Sequence, residues 1–188
     1  MDILRILKEK EALLEGHFLL SSGLHSDMYV QCAKLLQYPD IAEKIAKELV
    51  KKIISNKPEL KIDTVISPAI GGIVIGQEVA RVLIVKSIFT ERESTIMTLR
   101  RGFEIQKGEK CLIVEDVITT GGSTKEVMTV VKSNGGEVVG VASIIDRSDL
   151  ENFSISLLKL KIQTFRPGAC TLCSNNIPLV KPGSKSFK

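Results

Sequence analysis

Between Leu112 and Thr124 the chain reads Leu-Ile-Val-Glu-Asp-Val-Ile-Thr-Thr-Gly-Gly-Ser-Thr. An apolar run is followed by two adjacent carboxylates, Glu115 and Asp116, and then by four hydroxyl residues and two glycines. Glycines let backbone N–H groups close around an anion, and the start of a following helix adds a favourable potential. The hydroxyls of Thr119, Thr120, Ser123 and Thr124 supply further donors. The segment is therefore a good cradle for phosphate. Glu115 and Asp116 would repel that phosphate, so they make sense beside it, holding sugar hydroxyls or a cation. Phosphate at one end and vicinal hydroxyls at the other describe a ribose 5-phosphate. The plain alternative is an ordinary strand-to-helix turn with Ser/Thr capping. Such a turn needs one hydroxyl and no paired acids. Neither Gly-x-x-x-x-Gly-Lys-Ser/Thr nor Gly-x-Gly-x-x-Gly occurs, so other phosphate loops fail on spacing.

Fewer residues carry chemistry elsewhere. Arg92, Arg100 and Arg101 fall in one polar stretch, Thr90–Phe103, where they could face an anion or simply decorate a solvated β-hairpin. Arg147 follows a long apolar segment; its planar fork suits a carboxylate, or it pairs on the surface with Asp146 or Asp149. Cys170 and Cys173 form a Cys-x-x-Cys, half of a structural zinc site, in a turn-rich tail. Cys32 and Cys111 are not obvious partners for it, and His17 and His25 are not spaced as ligands. The thiol pair is left between metal, redox and idle roles.

The elements that must position these residues follow from periodicity. Ile3, Ile6, Leu7, Leu13 and Leu14 predict an amphipathic helix over residues 2–15, ending at Gly16. His17–Leu20 reads as a short strand and Ser21–Asp27 as a turn. A second helix starts at Pro39-Asp40, with Asp40 as N-cap, and buries Ile41, Ile45, Leu49 and Ile53 with Ala42, Ala46 and Val50 beside them. The chain then alternates: strand Thr64–Ser67, helix from Gly71 to about Leu83, strand Ser87–Phe89, strand Lys110–Val114, helix from Gly121 to Asn134, strand Glu137–Ile145. Apolar strands alternating with helices predict a mostly parallel twisted sheet flanked by helices, an α/β fold. Ligands of such sheets bind at the carboxyl ends of the strands, where the acidic pair falls. Lys181–Lys188 reads as a loose or docked tail.

Bulk properties bound the function. The 188 residues suit one domain; 44% apolar and 26% charged residues describe a soluble globular chain. A net charge of +4 spread along the chain gives no nucleic-acid face, and 4% aromatics with no Trp give no base-stacking platform. No apolar run approaches the roughly 18 residues of a membrane span, and the early charges leave no signal-peptide core, so the expectation is a cytoplasmic protein without membrane or nucleic-acid partners.

The segment Val114–Thr124 closely resembles the diphosphoribose-binding signature of the type I phosphoribosyltransferase family. The resemblance implies that Glu115 and Asp116 hold the ribose 2′- and 3′-hydroxyls, and that Val117, Ile118, Thr119, Thr120, Gly121, Gly122 and Ser123 wrap the 5-phosphate of phosphoribosyl diphosphate. Three further segments resemble the orotate-using branch: Gly16–Ser26, ending in Ser-Gly-x-x-Ser; Ser67–Gly72, like a diphosphate loop; and Asp146-Arg147 after the long strand. They imply an orotate site at Thr119, Arg147 and Tyr29, a diphosphate contact at Gly71, and transfer of the phosphoribosyl group to orotate. Arg92 matches the arginine that opens the branch's mobile catalytic loop, which makes Arg92 a catalytic candidate beside Asp116 and Glu115, with Arg100 near the diphosphate. Mg²⁺ is implied as cofactor, held largely by substrate oxygens with no firm protein ligand. A homodimer is implied as well, because that loop reaches a neighbouring subunit's site. A single domain is expected, with residues 39–149 as core and residues 1–38 and 150–188 as hood and tail segments. The sequence departs from the branch at Ser21, where a lysine is usual, at Tyr29-Val30, where an aromatic pair is usual, and at Ile70-Gly71, where Tyr-Lys is usual. A phosphoribosyltransferase for another base, or a non-enzymatic binder of the same donor, are the alternatives.

Overall fold

The computed structural model describes residues 1–20 and 22–182. The chain divides into two compact units, one formed by Leu36–Leu160 with Met1, the other by Asp2–Leu35 and Lys161 onward.

In the unit formed by the two chain ends, α1 (Ile3–Glu9) leads into β1 (Leu13–Leu19), β2 (His25–Val30) and, at the boundary, α2 (Ala33–Leu36). The helix predicted over residues 2–15 is therefore corrected. Asp2 caps it by accepting from the Arg5 N–H at 3.0 Å, but it stops at Glu9. Leu13 and Leu14 instead begin β1, pairing with Val30 and Tyr29. Glu11, with φ of 50°, turns the chain between them. The predicted turn at residues 21–27 is likewise shorter than expected, since β2 begins at His25; Ser21 lies outside the described residues.

In the other unit, α3 (Pro39–Asn56) buries Ala42, Ile45, Ala46, Leu49, Val50 and Ile53, the face its periodicity predicts. Its N-cap is Tyr38, with Pro39 in the first turn; Asp40 sits inside the helix, paired with Lys44, and is not the cap. A proline fits there because its missing N–H would have no helical partner. The chain continues through β3 (Thr64–Pro68), α4 (Gly71–Leu83), β4 (Lys86–Glu93), β5 (Ile96–Leu99), β6 (Lys110–Ile118), α5 (Gly122–Ser133), β7 (Glu137–Asp146) and β8 (Ile155–Lys159). Six strands form one sheet in the order β5-β4-β3-β6-β7-β8. All pairings are parallel except β4 with β5. The mostly parallel α/β sheet is the expected fold class.

β3 is buried along its whole length, and β6 is buried from Cys111 to Val114, as strands covered on both faces must be. Ile66, Ile88, Ile113, Val127, Val131 and Val141 share one core cluster. α5 ends where Gly135 takes φ of 82° and Gly136 N–H reaches back to the Val131 carbonyl at 3.0 Å, a stop that favours glycine. The Thr90–Phe103 stretch is a hairpin, Thr90 opposite Leu99 and Glu93 opposite Ile96, which periodicity alone did not resolve into strands.

The chain end returns to the unit of β1 and β2 as β9 (Thr164–Phe165), a 3₁₀ turn at Pro167–Ala169 and α6 (Thr171–Ser174). β9 pairs with β2, and Val180 bridges to Phe18. Up to Pro182 the tail is thus docked; Gly183–Lys188 lie outside the described residues.

Candidate active site

The site grows from the carboxyl ends of two neighbouring parallel strands. β6 runs further than its apolar core suggests, carrying Glu115 and Asp116 within the strand and ending at Ile118. Glu115 and Val117 keep ladder positions opposite Ser143 and Ile145 of β7, so the acidic pair sits on a braced backbone. The exposed Thr119 and Thr120 follow. Gly121 then takes φ of 75°, in close quarters: a Cβ there would lie 3.0 Å from the Phe153 ring and 3.1 Å from Leu150. Both constraints favour glycine. The Lys125 N–H bonds the Gly121 carbonyl at 2.9 Å and starts α5, whose first turn contains no acidic residue. The loop thus presents a helix N-terminus with its anion-binding potential intact.

From β3 the second loop arrives at the same place. The Ala69–Ile70 peptide is cis, and α4 begins at Gly71. A Cβ on Gly71 would stand 2.6 Å from Oδ1 and 2.7 Å from Oδ2 of Asp116. One on Gly72 would stand 3.1 Å from the Val114 carbonyl. The backbone of the second loop therefore lies directly against the acidic pair, and only a residue without a side chain leaves the carboxylate its place.

The electrostatics follow from burial. Burial pushes Glu115 up to about 7, against a hydrogen bond from the Thr124 hydroxyl at 2.7 Å and with the Asp116 charge adding to the rise. Asp116 is also raised, by burial first, although backbone N–H groups favour its charged form. Among the described residues neither carboxylate has an ion-pair partner. This is a carboxylate pair that a cation or sugar hydroxyls would satisfy.

Arg147 begins beside this loop, its N–H bonded to the Ile118 carbonyl at 2.8 Å. It therefore emerges next to Thr119, half-buried. The neighbouring Asp146 has its own work. Burial opposes its charge, but Ser148 and Ser154 hydroxyls at 2.6 and 2.7 Å outweigh that and hold it below its ordinary range. Arg92 donates to Glu126 of α5 at 2.6 Å and to the Thr95 carbonyl at 2.8 Å. Arg100 lies 3.7 Å from Glu93, and Arg101 pairs with Glu91 at 2.8 Å while lying over the Phe89 ring. Tyr29 belongs to the other unit, on β2, its ring tilted against Phe18. Glu115, Asp116, Val117 to Ser123, Gly71 and Arg147 thus gather around the ends of β3, β6 and β7. Arg92 and Arg100 stand on the hairpin with surface partners.

A concavity of about 750 Å³ lined by Lys52, Asn56, Met128 and Lys159, among others, shares no residue with the acidic loop. Sequence reasoning missed Thr124 as the direct partner of Glu115; its signal was the nine-residue interval from strand to first helical turn. It also missed that His17 and His25, set apart from the cysteines by spacing, lie against both Cys170 and Cys173.

The parallel sheet, the acidic pair and the glycine-hydroxyl loop together define a phosphoribosyltransferase-type site. A family model, the phosphoribosyl transferase domain, matches residues 34–163. Orotate phosphoribosyltransferases of Caldanaerobacter subterraneus and Caldicellulosiruptor saccharolyticus are 53% and 52% identical, each over 98% of this chain and 97% of the relative. The crystal structure of orotate phosphoribosyltransferase from Aeropyrum pernix superimposes with a TM-score of 0.69 at 25% identity, covering 85% of this chain and 94% of that one. The chain belongs to the phosphoribosyltransferases and, within them, to the orotate phosphoribosyltransferase family.

Proposed function

We propose that the protein transfers the 5-phosphoribosyl group from phosphoribosyl diphosphate to orotate, giving orotidine 5′-monophosphate and diphosphate. The observation that carries this reading is the approach of the Gly71 backbone to the Asp116 carboxylate. It puts a second backbone-lined loop beside the acidic pair, as a donor with phosphate at one end and diphosphate at the other requires. Glu115 and Asp116 hold the ribose 2′- and 3′-hydroxyls, and the loop from Val117 to Ser123 takes the 5-phosphate through backbone N–H groups and hydroxyls. The diphosphate lies against the turn at Gly71. Arg147, with the Thr119 hydroxyl, grips the orotate carboxylate; the part assigned to Tyr29 rests on the family resemblance alone.

Little acid–base work is needed as the diphosphate leaves C1 and the base nitrogen attacks. The site positions the groups and offsets developing charge. Arg92 and Arg100 supply part of that offset. Their present partners are exposed, and an exposed pair is worth about 0–1 kcal/mol, so substrate can displace Glu126 and Glu93. Two adjacent carboxylates with no ion-pair partner among the described residues fit Mg²⁺, a hard cation that prefers oxygen ligands and keeps several waters. Bound with the donor, it supplies charge neutralisation at the diphosphate. We also propose a homodimer.

The test is an assay with purified protein, Mg²⁺ and phosphoribosyl diphosphate, offering orotate, uracil, hypoxanthine, guanine and adenine separately. Loss of orotate absorbance with the other bases silent is the expected result. Turnover of another base alone would keep the ribose-phosphate site and overturn the base assignment.

A further inference from the structure

A second constellation, sharing no residue with the acidic loop, lies wholly within the unit formed by the chain ends. His17 Nε2 stands 2.8 Å from His25 Nδ1, 3.5 Å from Cys170 Sγ and 3.7 Å from Cys173 Sγ. Cys173 Sγ is 3.3 Å from His25 Nδ1. All four ligand atoms lie within 4.8 Å of one another. His17, His25 and Cys170 are 2%, 5% and 2% exposed, so three of the four are sealed from solvent. Tetrahedral zinc with bonds of about 2.0 Å to nitrogen and 2.3 Å to sulfur sets its ligands roughly 3.3–3.8 Å apart. Of the six pairs that four ligands make, three fall in that window, and the His25–Cys170 and Cys170–Cys173 pairs lie within 4.8 Å. The sixth, between the two imidazoles, needs a small separation.

The surroundings orient these groups as ligands. His17 Nδ1 is 2.7 Å from the Ile177 carbonyl, which can only accept, so the proton is on Nδ1 and the Nε2 lone pair faces His25 and the sulfurs. Metal-bound histidines are commonly held by such a bond from the outer nitrogen. The backbone has been bent to the same end. Pairing of β1 with β2 slips by one residue between Glu15 and Phe18, and the consecutive residues His17 and Phe18 at this bulge are both buried. Cys170 is the N-cap of α6 and Cys173 lies in its single turn, so one short turn offers both thiols to the strands. The unit they tie together has a three-stranded sheet and only short helices, a size of core that metals often staple.

We propose that His17, His25, Cys170 and Cys173 form a structural zinc site that fastens the tail to β1 and β2. On binding, the two thiols release their protons to solvent, and the proton that His25 Nδ1 donates to His17 Nε2 shifts to His25 Nε2, which frees Nδ1 as the ligand. The two thiolates then balance the 2+ charge, while the imidazoles stay neutral. The metal-free rival is a cluster held by an imidazole–imidazole hydrogen bond alone.

The test uses the full chain, expressed with zinc available and purified without chelator. Elemental analysis is expected to find about one zinc per chain, and removing it with a strong chelator should lower the thermal midpoint. Chelator-treated wild type, reduced and titrated with Co²⁺, should develop the thiolate-to-cobalt charge-transfer band and intense visible bands of a tetrahedral site. The C170S/C173S variant should lose both the zinc and the charge-transfer band. H25Q, which keeps both thiols, should weaken Co²⁺ binding by 10-fold or more. Wild type that stays folded by circular dichroism yet takes up neither metal would overturn the proposal. So would C170S/C173S protein that loads zinc as well as wild type.

Discussion

Asp116 and Glu115 differ in what holds them, and the difference predicts different mutants. Asp116 meets the backbone of the Gly71 turn, whereas Glu115 is tied to Thr124. Replacing Asp116 by Asn preserves shape and removes charge. Turnover should fall by about 10²-fold or more, with thermal midpoint and circular dichroism unchanged, because charge stabilisation in such sites is commonly worth that much. An Asp116→Asn enzyme with full activity would remove Asp116 from the mechanism. For Glu115 the prediction concerns pH. Its folded value of about 7 lies above the unfolded value near 4.5. Between these values the native state holds a proton that the unfolded chain has lost. This group's contribution to stability is therefore complete below about pH 4.5 and declines as pH rises to 7, by up to roughly 3 kcal/mol. Glu115→Gln should flatten that decline in urea titrations at pH 5, 6 and 7. Donor binding has the opposite sign. It draws on the ionised pair, so wild-type affinity should rise with pH and level off above 7, and calorimetry in two buffers at pH 6 should detect proton release.

At the level of elements, the two loops matter through their backbones. Gly71 occupies the first turn of α4, where alanine would ordinarily favour the helix by up to about 1 kcal/mol over glycine. Here its methyl would meet both Asp116 oxygens. Gly71→Ala is therefore expected to leave stability unchanged or slightly raised while donor affinity drops 10-fold or more. Binding by the variant at wild-type affinity would show that Asp116 has room to move and that the approach of the loops is not what shapes the site. The hairpin of β4 and β5 is a different case: Arg92 and Arg100 are held by exposed pairs, so these two side chains can change partners at little cost.

For the whole molecule, the resemblance to enzymes whose arginine loop reaches a neighbouring site makes a joint prediction. Light scattering should return twice the 20.6 kDa chain mass. Arg92→Ala and Asp116→Asn, each poorly active alone, should recover activity when mixed and allowed to exchange subunits, because some hybrid dimers then carry one site with both groups intact. Recovery absent from verified hybrids would place Arg92 in its own chain's site. Among the described residues no helix is long and apolar enough to cross a membrane.

The sequence by itself determined the parallel α/β core and singled out the acidic, glycine- and hydroxyl-rich loop, because both are local. β3, α4, β6, α5 and β7 each announce themselves by an apolar run or a 3.6-residue period. The acidic pair, hydroxyls and glycines are contiguous in the chain, so spacing alone made them the candidate site. What it misplaced was decided by pairing. Leu13 and Leu14 fit a helical period but find β2 as partner, and burial against a strand outweighs a weak helix propensity. Only the tertiary structure brought Gly71 to Asp116, across 45 residues of chain, since nothing local reports the distance between two loops. The same holds for His17 and His25. Their spacing on one strand pair is no ligand motif, and only the return of the tail sets Cys170 and Cys173 against them. Long-range contacts are chosen by which faces must be buried together, and that choice is made by the folded chain as a whole.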